Sequence, residues 1–422
     1  MRHLVNILRV QVPLWLVTPF LGVVLVAGFG GGYFTNTQLT TACPQSSEVC
    51  TGFANFWRAW EIASTHFVDP EAIDPQTMTD GAIAGMINSL GDQGHTRYMP
   101  AEVAAAERES LAGRFEGIGA YIDVRDGQPL IVEPIRNSPA EAAGLLPDDL
   151  IMEVDGEDVR GVTVEELQSK VRGPKGSTVL LTIQRGEETL EIEVQRDEVQ
   201  IPSVSWAMLP EDVALIELTQ FSEPSSEDIE EALTGARAEG ATAIILDLRN
   251  NPGGLVDELI SIASEFLPPD TTVLLEQSRD GEQSPYRTRG DGIATDLPMV
   301  VLVNGNSASS AEILAGALKE QDRATVIGTS TFGTATVLRR FELNDGAQIL
   351  LGTTEWLTPN GEQVRDVGIE PDEIVTLPPQ TIELAPEEAA ELSALAIEES
   401  EDAQLARAFE LVQEEVAKQN SE

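Results

Sequence analysis

Positive charge is what this 422-residue chain has least of: 26 Lys and Arg stand against 71 Asp and Glu, a formal net charge of −45 at pH 7. Such a surface repels phosphate backbones and anionic headgroups, which excludes nucleic acid as a partner. The acidity itself keeps the chain solvated, and attraction of basic substrates stays open beside that reading. Cysteine is almost absent. The pair Cys43 and Cys50 has no second pair and no histidine beside it, so no zinc or other metal site is expected. In an oxidising compartment they could close one small disulfide loop, with two free thiols as the alternative. No internal repeat is present, which excludes solenoids and propellers. Apolar residues are not scarce: at 42% they are ample for real cores, and the length calls for two or three globular units.

The N-terminus carries the one long apolar run. Arg2, His3 and Arg9 precede a stretch from Val12 to Gly32 broken only by Pro13, Thr18 and Pro19. That approaches the roughly 20 residues a helix needs to cross a bilayer. Basic residues before it and none just after it predict a cytoplasmic start and an extracytoplasmic remainder. A cleaved signal peptide is the alternative, with Ala27-Gly28-Phe29-Gly30 a weak match to its cleavage site. Residues 1–35 are therefore read as a membrane anchor and 36–114 as a juxtamembrane helical region.

Within that region Phe53, Phe56, Trp57 and Trp60 recur at helical spacing and are expected to pack in a core. Asp80 is the expected N-cap of a second helix that Gly91 ends. From Phe115 the texture changes to short strands around 118–124, 130–132, 150–154, 179–184 and 190–195, with helices near 139–143 and 164–171. Beyond Ile201, apolar strands at 213–218, 243–248, 299–303 and 324–327 alternate with helices at 226–239, 255–266 and 308–320. That rhythm predicts an α/β layer of mostly parallel strands. After Pro378 the Glu/Ala/Leu-rich stretch 379–422 reads as an exposed acidic helical tail.

Residues 115–200 resemble a PDZ domain. Gly117-Ile118-Gly119 is similar to a carboxylate-binding loop, and Ser138-Pro139-Ala140-Glu141-Ala142-Ala143-Gly144-Leu145, Asp148-Asp149-Leu150-Ile151 and Val154-Asp155-Gly156 to the segments that follow it. The resemblance implies capture of a peptide terminus by backbone N–H groups, with strand addition at the adjacent edge. A PDZ fold that only scaffolds is the other reading.

Three segments of 201–378 carry the chemistry. Leu246-Asp247-Leu248-Arg249-Asn250-Asn251-Pro252-Gly253-Gly254 runs from a strand through a glycine turn into a helix. Val303-Asn304-Gly305-Asn306-Ser307-Ala308-Ser309-Ser310-Ala311-Glu312 does the same and places serines at a helix start. Gly328-Thr329-Ser330-Thr331-Phe332-Gly333-Thr334 is the third. Together they resemble the catalytic domain of the carboxyl-terminal processing proteases. The resemblance implies a serine nucleophile at Ser309, an oxyanion hole from the N–H of Gly253 or Gly254 with that of Ser310, and no metal or organic cofactor. Helix capping is what those serines would otherwise do.

One departure stands out. The family's general base is a lysine twenty-five positions after the serine; here that residue is Thr334, and a glutamine four positions on is replaced by Leu338. The only lysines are Lys170, Lys175, Lys319 and Lys418, none well placed, and arginine stays protonated. Of the histidines only His95 lies in a motif-like loop, Asp92-Gln93-Gly94-His95-Thr96-Arg97-Tyr98. A related branch with tricorn-type core proteases pairs serine with histidine, and His95 is similar to its histidine. An imidazole titrating near neutrality suits a serine hydroxyl. A structural histidine bonded to loop backbone is the alternative. Glu320 is a candidate to orient the base, or else a solvated helix-end carboxylate.

The expected chain is thus a mixed α/β, multidomain protein: transmembrane anchor, helical segment, PDZ-like module, α/β serine-peptidase core and acidic C-terminal helix. Two functions remain in view. One is an extracytoplasmic, membrane-held serine endopeptidase acting on unfolded or C-terminally exposed polypeptides. The other is a catalytically inactive PDZ scaffold that binds protein C-termini.

Overall fold

The computed structural model describes residues from Ser47 onward, apart from a few isolated positions, and divides into two units, 1–79 and 80–422. The apolar run 12–32 and Cys43 lie outside the described residues, and so do the anchor and disulfide readings. Among the described residues no helix is long and apolar enough to cross a membrane.

Helix α1 (Ser47–His66) carries the aromatic stripe, but not in a core. Phe53 and Trp57 are exposed, and the four rings instead stack on one another along the helix at 5.1–6.2 Å between centroids. The next helix, α2 (Pro75–Asn88), begins before the predicted cap. Pro75 opens it, as proline at a first helical position does, and Thr77 N–H bonds to Asp74. Asp80 lies inside the helix and accepts from the Tyr98 hydroxyl at 2.6 Å.

Strand β1 (Arg97–Met99), helix α3 (Ala101–Leu111) and strand β2 (Arg114–Gly117) lead into the second module. It comprises β3 (Ala120–Arg125), β4 (Gln128–Pro134), α4 (Pro139–Ala142), β5 (Leu150–Val154), β6 (Glu157–Asp158), α5 (Val164–Val171), β7 (Thr178–Arg185) and β8 (Glu188–Gln195). Its sheet runs β3-β4-β5-β7-β8, so β3 is an edge strand, and α5 lies against it. Alternation along β7 buries Val179, Leu181 and Ile183 with Ile131, Ile151 and Leu167 in a separate small core. Gly119 adopts φ +76°, and a Cβ there would lie 2.4 Å from that of Ser138. Its carbonyl accepts from the Ser138 hydroxyl at 2.7 Å, and that of Ile118 from Ala140 N–H at 2.7 Å. The loop 117–119 is thereby tied to the start of α4 beside the free edge of β3. Strand β9 (Asp197–Gln200) closes the module by pairing with β2.

The core follows: β10 (Val204–Leu209), β11 (Val213–Leu218), α6 (Ser225–Glu239), β12 (Ala243–Asp247), α7 (Val256–Phe266), β13 (Thr272–Gln277), β14 (Gln283–Arg287), β15 (Met299–Val303), α8 (Ser310–Glu320), β16 (Thr325–Gly328), β17 (Thr336–Glu342), β18 (Gln348–Leu357), β19 (Glu373–Ile374), α9 (Pro386–Ala390), α10 (Ala394–Glu398) and α11 (Ala403–Gln419). The main sheet has the order β10-β11-β12-β15-β16-β19 and is parallel except for β10. Every residue of β12 and β15 is buried, as strands covered on both faces require. Ile244, Leu246, Val301 and Val303 face α6, α7 and α8; Ala243, Ile245, Val300 and Leu302 face the other way.

What covers that second face corrects the expected exposed tail. Helix α11 lays Leu405, Ala408, Phe409 and Val412 on it, all fully buried. The i, i+3, i+4, i+7 stripe is genuine but sits within so many glutamates that composition hides it. A second, antiparallel sheet, β1-β18-β13-β14 with β17 on β18, was not expected from the sequence. It brings residue 97 beside residue 350, and so sets the loop of His95 next to the core.

Candidate active site

Strands β12 and β15 are parallel neighbours, and each ends in a turn that starts a helix. Such strand ends are where α/β sheets bind ligands. The two turns are stitched together. Ser307 donates to the Leu248 carbonyl at 2.8 Å, Ala308 N–H to Asn251 O at 2.9 Å, and Ser310 Oγ to Gly254 O at 3.1 Å. Gly253, at φ +92°, passes so close that a Cβ would lie 2.7 Å from Ser309 Cβ and 2.7 Å from Ala308 O. Only glycine fits.

Ser309 itself is strained, at φ 54° and ψ −118°. A non-glycine residue there costs about 1–3 kcal/mol and persists only where its surroundings fix it. They do. Its N–H donates to Thr334 Oγ1 at 2.7 Å and to Glu312 Oε2 at 2.8 Å, and its carbonyl accepts from Ile313 N–H at 3.0 Å. Glu312 is completely buried yet well solvated by the protein. It also accepts from the Thr331 hydroxyl at 2.5 Å, from Gly333 N–H at 2.6 Å, and from both the N–H and the hydroxyl of Thr334.

The oxyanion candidates separate on their partners. Gly253 N–H is taken by Asn251 Oδ1 at 2.8 Å, which removes it from the expected set. Among the described residues the N–H groups of Gly254 and Ser310 have no acceptor, and they flank Ser309. Ser309 lines a cleft of about 560 Å³ together with Gly253, Gly254, Thr334, His95 and the apolar Leu255, Phe332, Leu338 and Leu350.

His95 is thus brought to the cleft of Ser309, although no hydrogen bond joins them in this conformation. Its Nδ1 lies 2.8 Å from Thr336 Oγ1, and that hydroxyl is 3.3 Å from Asp92 Oδ2. Asp92 also accepts from Thr96 Oγ1 at 2.6 Å and faces Arg365 at 3.5 Å. Burial pulls the His95 pKa below its ordinary value of 6.5; Asp92 and Glu312 oppose this, while Arg97 and Arg365 add to it. The neutral imidazole is favoured at neutral pH.

Glu320 is not part of the site. It sits at the far end of α8, where its carboxylate accepts from Asn360 N–H at 2.7 Å and holds the turn after β18. Lys319 is turned away as well, bonded to the Glu370 carbonyl at 2.6 Å. Among the described residues no lysine lines the cleft. The carboxylates that matter locally, Glu312 and Asp92, were missed, though Glu312 three residues after Ser309 has capping-box spacing. Asp92 stands three residues before His95 in the same loop motif. Among the described residues no group of side chains is arranged to hold a metal ion.

Residues 212–375 match peptidase family S41 and residues 130–185 match the PDZ domain. The chain is 37% identical over 306 residues to the carboxy-terminal processing protease CtpA of Bacillus subtilis, covering 72% of this chain and 65% of that protein. Residues 212–375 thus carry a family S41 peptidase domain, and the chain is similar to the carboxyl-terminal processing proteases. A CtpA-like serine protease of Staphylococcus haemolyticus is 35% identical over 311 residues, covering 73% and 62%. The chain thus spans slightly less than two thirds of the length of these relatives. In fold it is similar to an S41 protein of Bacteroides fragilis, with a TM-score of 0.51 at 17% identity over 83% of this chain and 92% of that one. Against the family pattern, the place of the dyad lysine is filled by Thr334, which is buried and spends its hydroxyl on Ser309 N–H and Glu312.

Proposed function

We propose that this chain is a serine endopeptidase in which Ser309 is the nucleophile and His95 the general base. The observation that carries it is the convergence on one cleft of a strained Ser309, Gly254 and a buried imidazole, with the N–H groups of Gly254 and of the adjoining Ser310 lacking an acceptor among the described residues. Ser309 Oγ attacks the scissile carbonyl while its proton passes to His95 Nε2. The oxyanion forms between the Gly254 and Ser310 N–H groups, at the positive end of α8. His95 then returns the proton to the leaving amine, and water, activated the same way, hydrolyses the acyl-enzyme. Hydrogen bonds of resting serine–base pairs are often long until substrate binds, so the absence of one here does not count against the pair.

The substrates are polypeptides with exposed C-termini, held by the loop 117–119 and the open edge of β3 through strand addition. The apolar run 12–32 anchors the chain in the cell membrane as a single span, with the catalytic part extracytoplasmic. The second reading, an inactive scaffold that binds C-termini, is favoured by one observation, the buried threonine in the lysine's place.

The full chain is to be treated with a fluorophosphonate probe and offered an unfolded protein substrate, beside Ser309→Ala, His95→Ala and Thr334→Lys. Labelling and cleavage by the wild type, with cleavage lost in both alanine variants, is the expected result. A wild type that neither labels nor cuts, with both restored by Thr334→Lys, would establish the scaffold instead.

A further inference from the structure

The reading of His95 as base leaves its tautomer undecided, and the surroundings settle which nitrogen carries the proton. Neutral imidazole has one donor and one acceptor nitrogen. Only the form protonated on Nδ1 leaves Nε2 free to take a proton from Ser309. Nδ1 meets a hydroxyl, Thr336 Oγ1 at 2.8 Å, and a hydroxyl can donate or accept. Its second neighbour removes that freedom. Asp92 Oδ2, 3.3 Å from Thr336 Oγ1, can only accept while ionised, so it draws the Thr336 hydrogen to itself. The hydroxyl is then left as an acceptor towards Nδ1, which must bear the proton.

The fold makes room for this chain of three. Thr96 Oγ1 donates to the same Asp92 oxygen at 2.6 Å and itself accepts from Gly352 N–H at 2.9 Å. Gly352 faces the pair on β18. A Cβ there would lie 2.9 Å from Thr336 Cβ and 3.0 Å from Asp92 Oδ2, closer than real side chains approach. Arg365 lies 3.5 Å from the other Asp92 oxygen, so the two carboxylate oxygens have separate partners.

We infer that Asp92, acting through the Thr336 hydroxyl, fixes His95 in the Nδ1–H tautomer, making Asp92 and Thr336 positioning residues for the Ser309 reaction. The inference rests on the reading of His95 as base. The relay differs from a direct histidine–carboxylate pair in that one threonine hydroxyl sets the direction of the proton.

The test uses the purified full chain with ¹⁵N-labelled histidine. The chain has only three histidines, so His95→Gln assigns the resonances by difference. At neutral pH the expected spectrum shows a protonated Nδ1 and a bare Nε2. In Thr336→Val and Asp92→Asn the preference is expected to relax, with kcat falling roughly 10- to 100-fold and KM nearly constant; Asn qualifies because its amide can donate to Thr336 and so reverse the chain. Thr336→Ser keeps the hydroxyl and should restore the wild-type spectrum and rate even if the valine variant folds poorly. A wild-type spectrum with the proton on Nε2, or an unchanged tautomer in Asp92→Asn, would overturn the relay. If the spectrum is as expected but the wild type does not label at Ser309, the relay stands and the assignment of catalysis fails.

Discussion

The N–H of Ser309 is shared between the Thr334 hydroxyl at 2.7 Å and the Glu312 carboxylate at 2.8 Å, so the residue standing where the family keeps its lysine holds the serine in its strained backbone conformation. Thr334→Val keeps the shape and removes the hydroxyl. The expected cost is about 1–3 kcal/mol, that of stripping a buried carboxylate and a buried N–H of a partner. Thr334→Ser should cost less than about 1 kcal/mol. Urea midpoints measure both. Fluorophosphonate labelling should fall in the valine variant while the serine variant labels normally; equal labelling would mean that Glu312 alone sets the geometry of Ser309.

The state of His95 gives the sign of the pH dependence. Burial places its folded pKa below 6.5, and the base must be neutral to act. The rate kcat/KM should therefore rise with pH through an inflection below 6.5 and be flat by neutrality. A base with an ordinary lysine pKa would place that inflection far higher. Stability follows the same group. The unfolded chain binds the proton more readily, so the contribution of neutral His95 is fully present above the unfolded value and fades as pH falls below it towards the folded value. His95→Gln should abolish both features, and an unchanged acid limb in that variant would assign the limb to another group.

Gly253 separates a packing requirement from a hydrogen-bonding one. Its φ of +92° and the 2.7 Å approach to Ser309 leave no space for a methyl group. Gly253→Ala is expected to displace Ser309 from Gly254 and Ser310 N–H and to lower kcat by about 10²-fold or more, the effect of spoiling an oxyanion site. Asn251→Ala removes the acceptor of Gly253 N–H without adding bulk, and should lower the rate less. Steady-state kinetics on one unfolded substrate would rank them, and the reverse order would mean that the Asn251 amide, rather than the missing side chain of Gly253, sets the geometry of the turn.

What could be read from the chain was local. The strand–turn–helix units at Gly253 and Ser309 announce themselves, because glycine spacing and a serine-rich helix start lie within a few residues. The parallel strands likewise show as unbroken apolar runs. Thr336 was not legible as a partner of His95: 241 residues separate them, and they meet only through the antiparallel sheet that joins β1, β17 and β18. Gly352 gave no signal for the same reason, since what needs its missing side chain lies on β17 and in the loop of His95. Glu320 fails as a candidate to orient the base because its place in sequence, at the end of the helix that Ser309 caps, is the full length of α8 away from Ser309 in space. The tail was misread because charge outweighed periodicity.

That tail supplies the last expectation. Arg249 is buried on the strand-to-turn segment before Gly253, between Asp247 at 2.6 Å and Asp402 at 2.8 Å. Burial opposes its charge, but the two carboxylates prevail and hold its pKa above the ordinary value. Asp402 also accepts from Leu405 N–H at 3.1 Å at the start of α11 and from Leu384 N–H at 3.1 Å. The cluster thus pins the covering helix to the segment that becomes the active-site turn. It holds one cation and two anions, so its members are not equivalent. Arg249→Met leaves two buried carboxylates facing each other and should cost about 3–5 kcal/mol. Asp402→Asn leaves a neutral Asp247–Arg249 pair and an oxygen that can still accept, and should cost nearer 1–2 kcal/mol. Both are read from denaturant midpoints, with limited proteolysis after residue 378 reporting release of α11. Equal costs would mean that the aspartate acts mainly by capping α11 and that the buried charge balance counts for little.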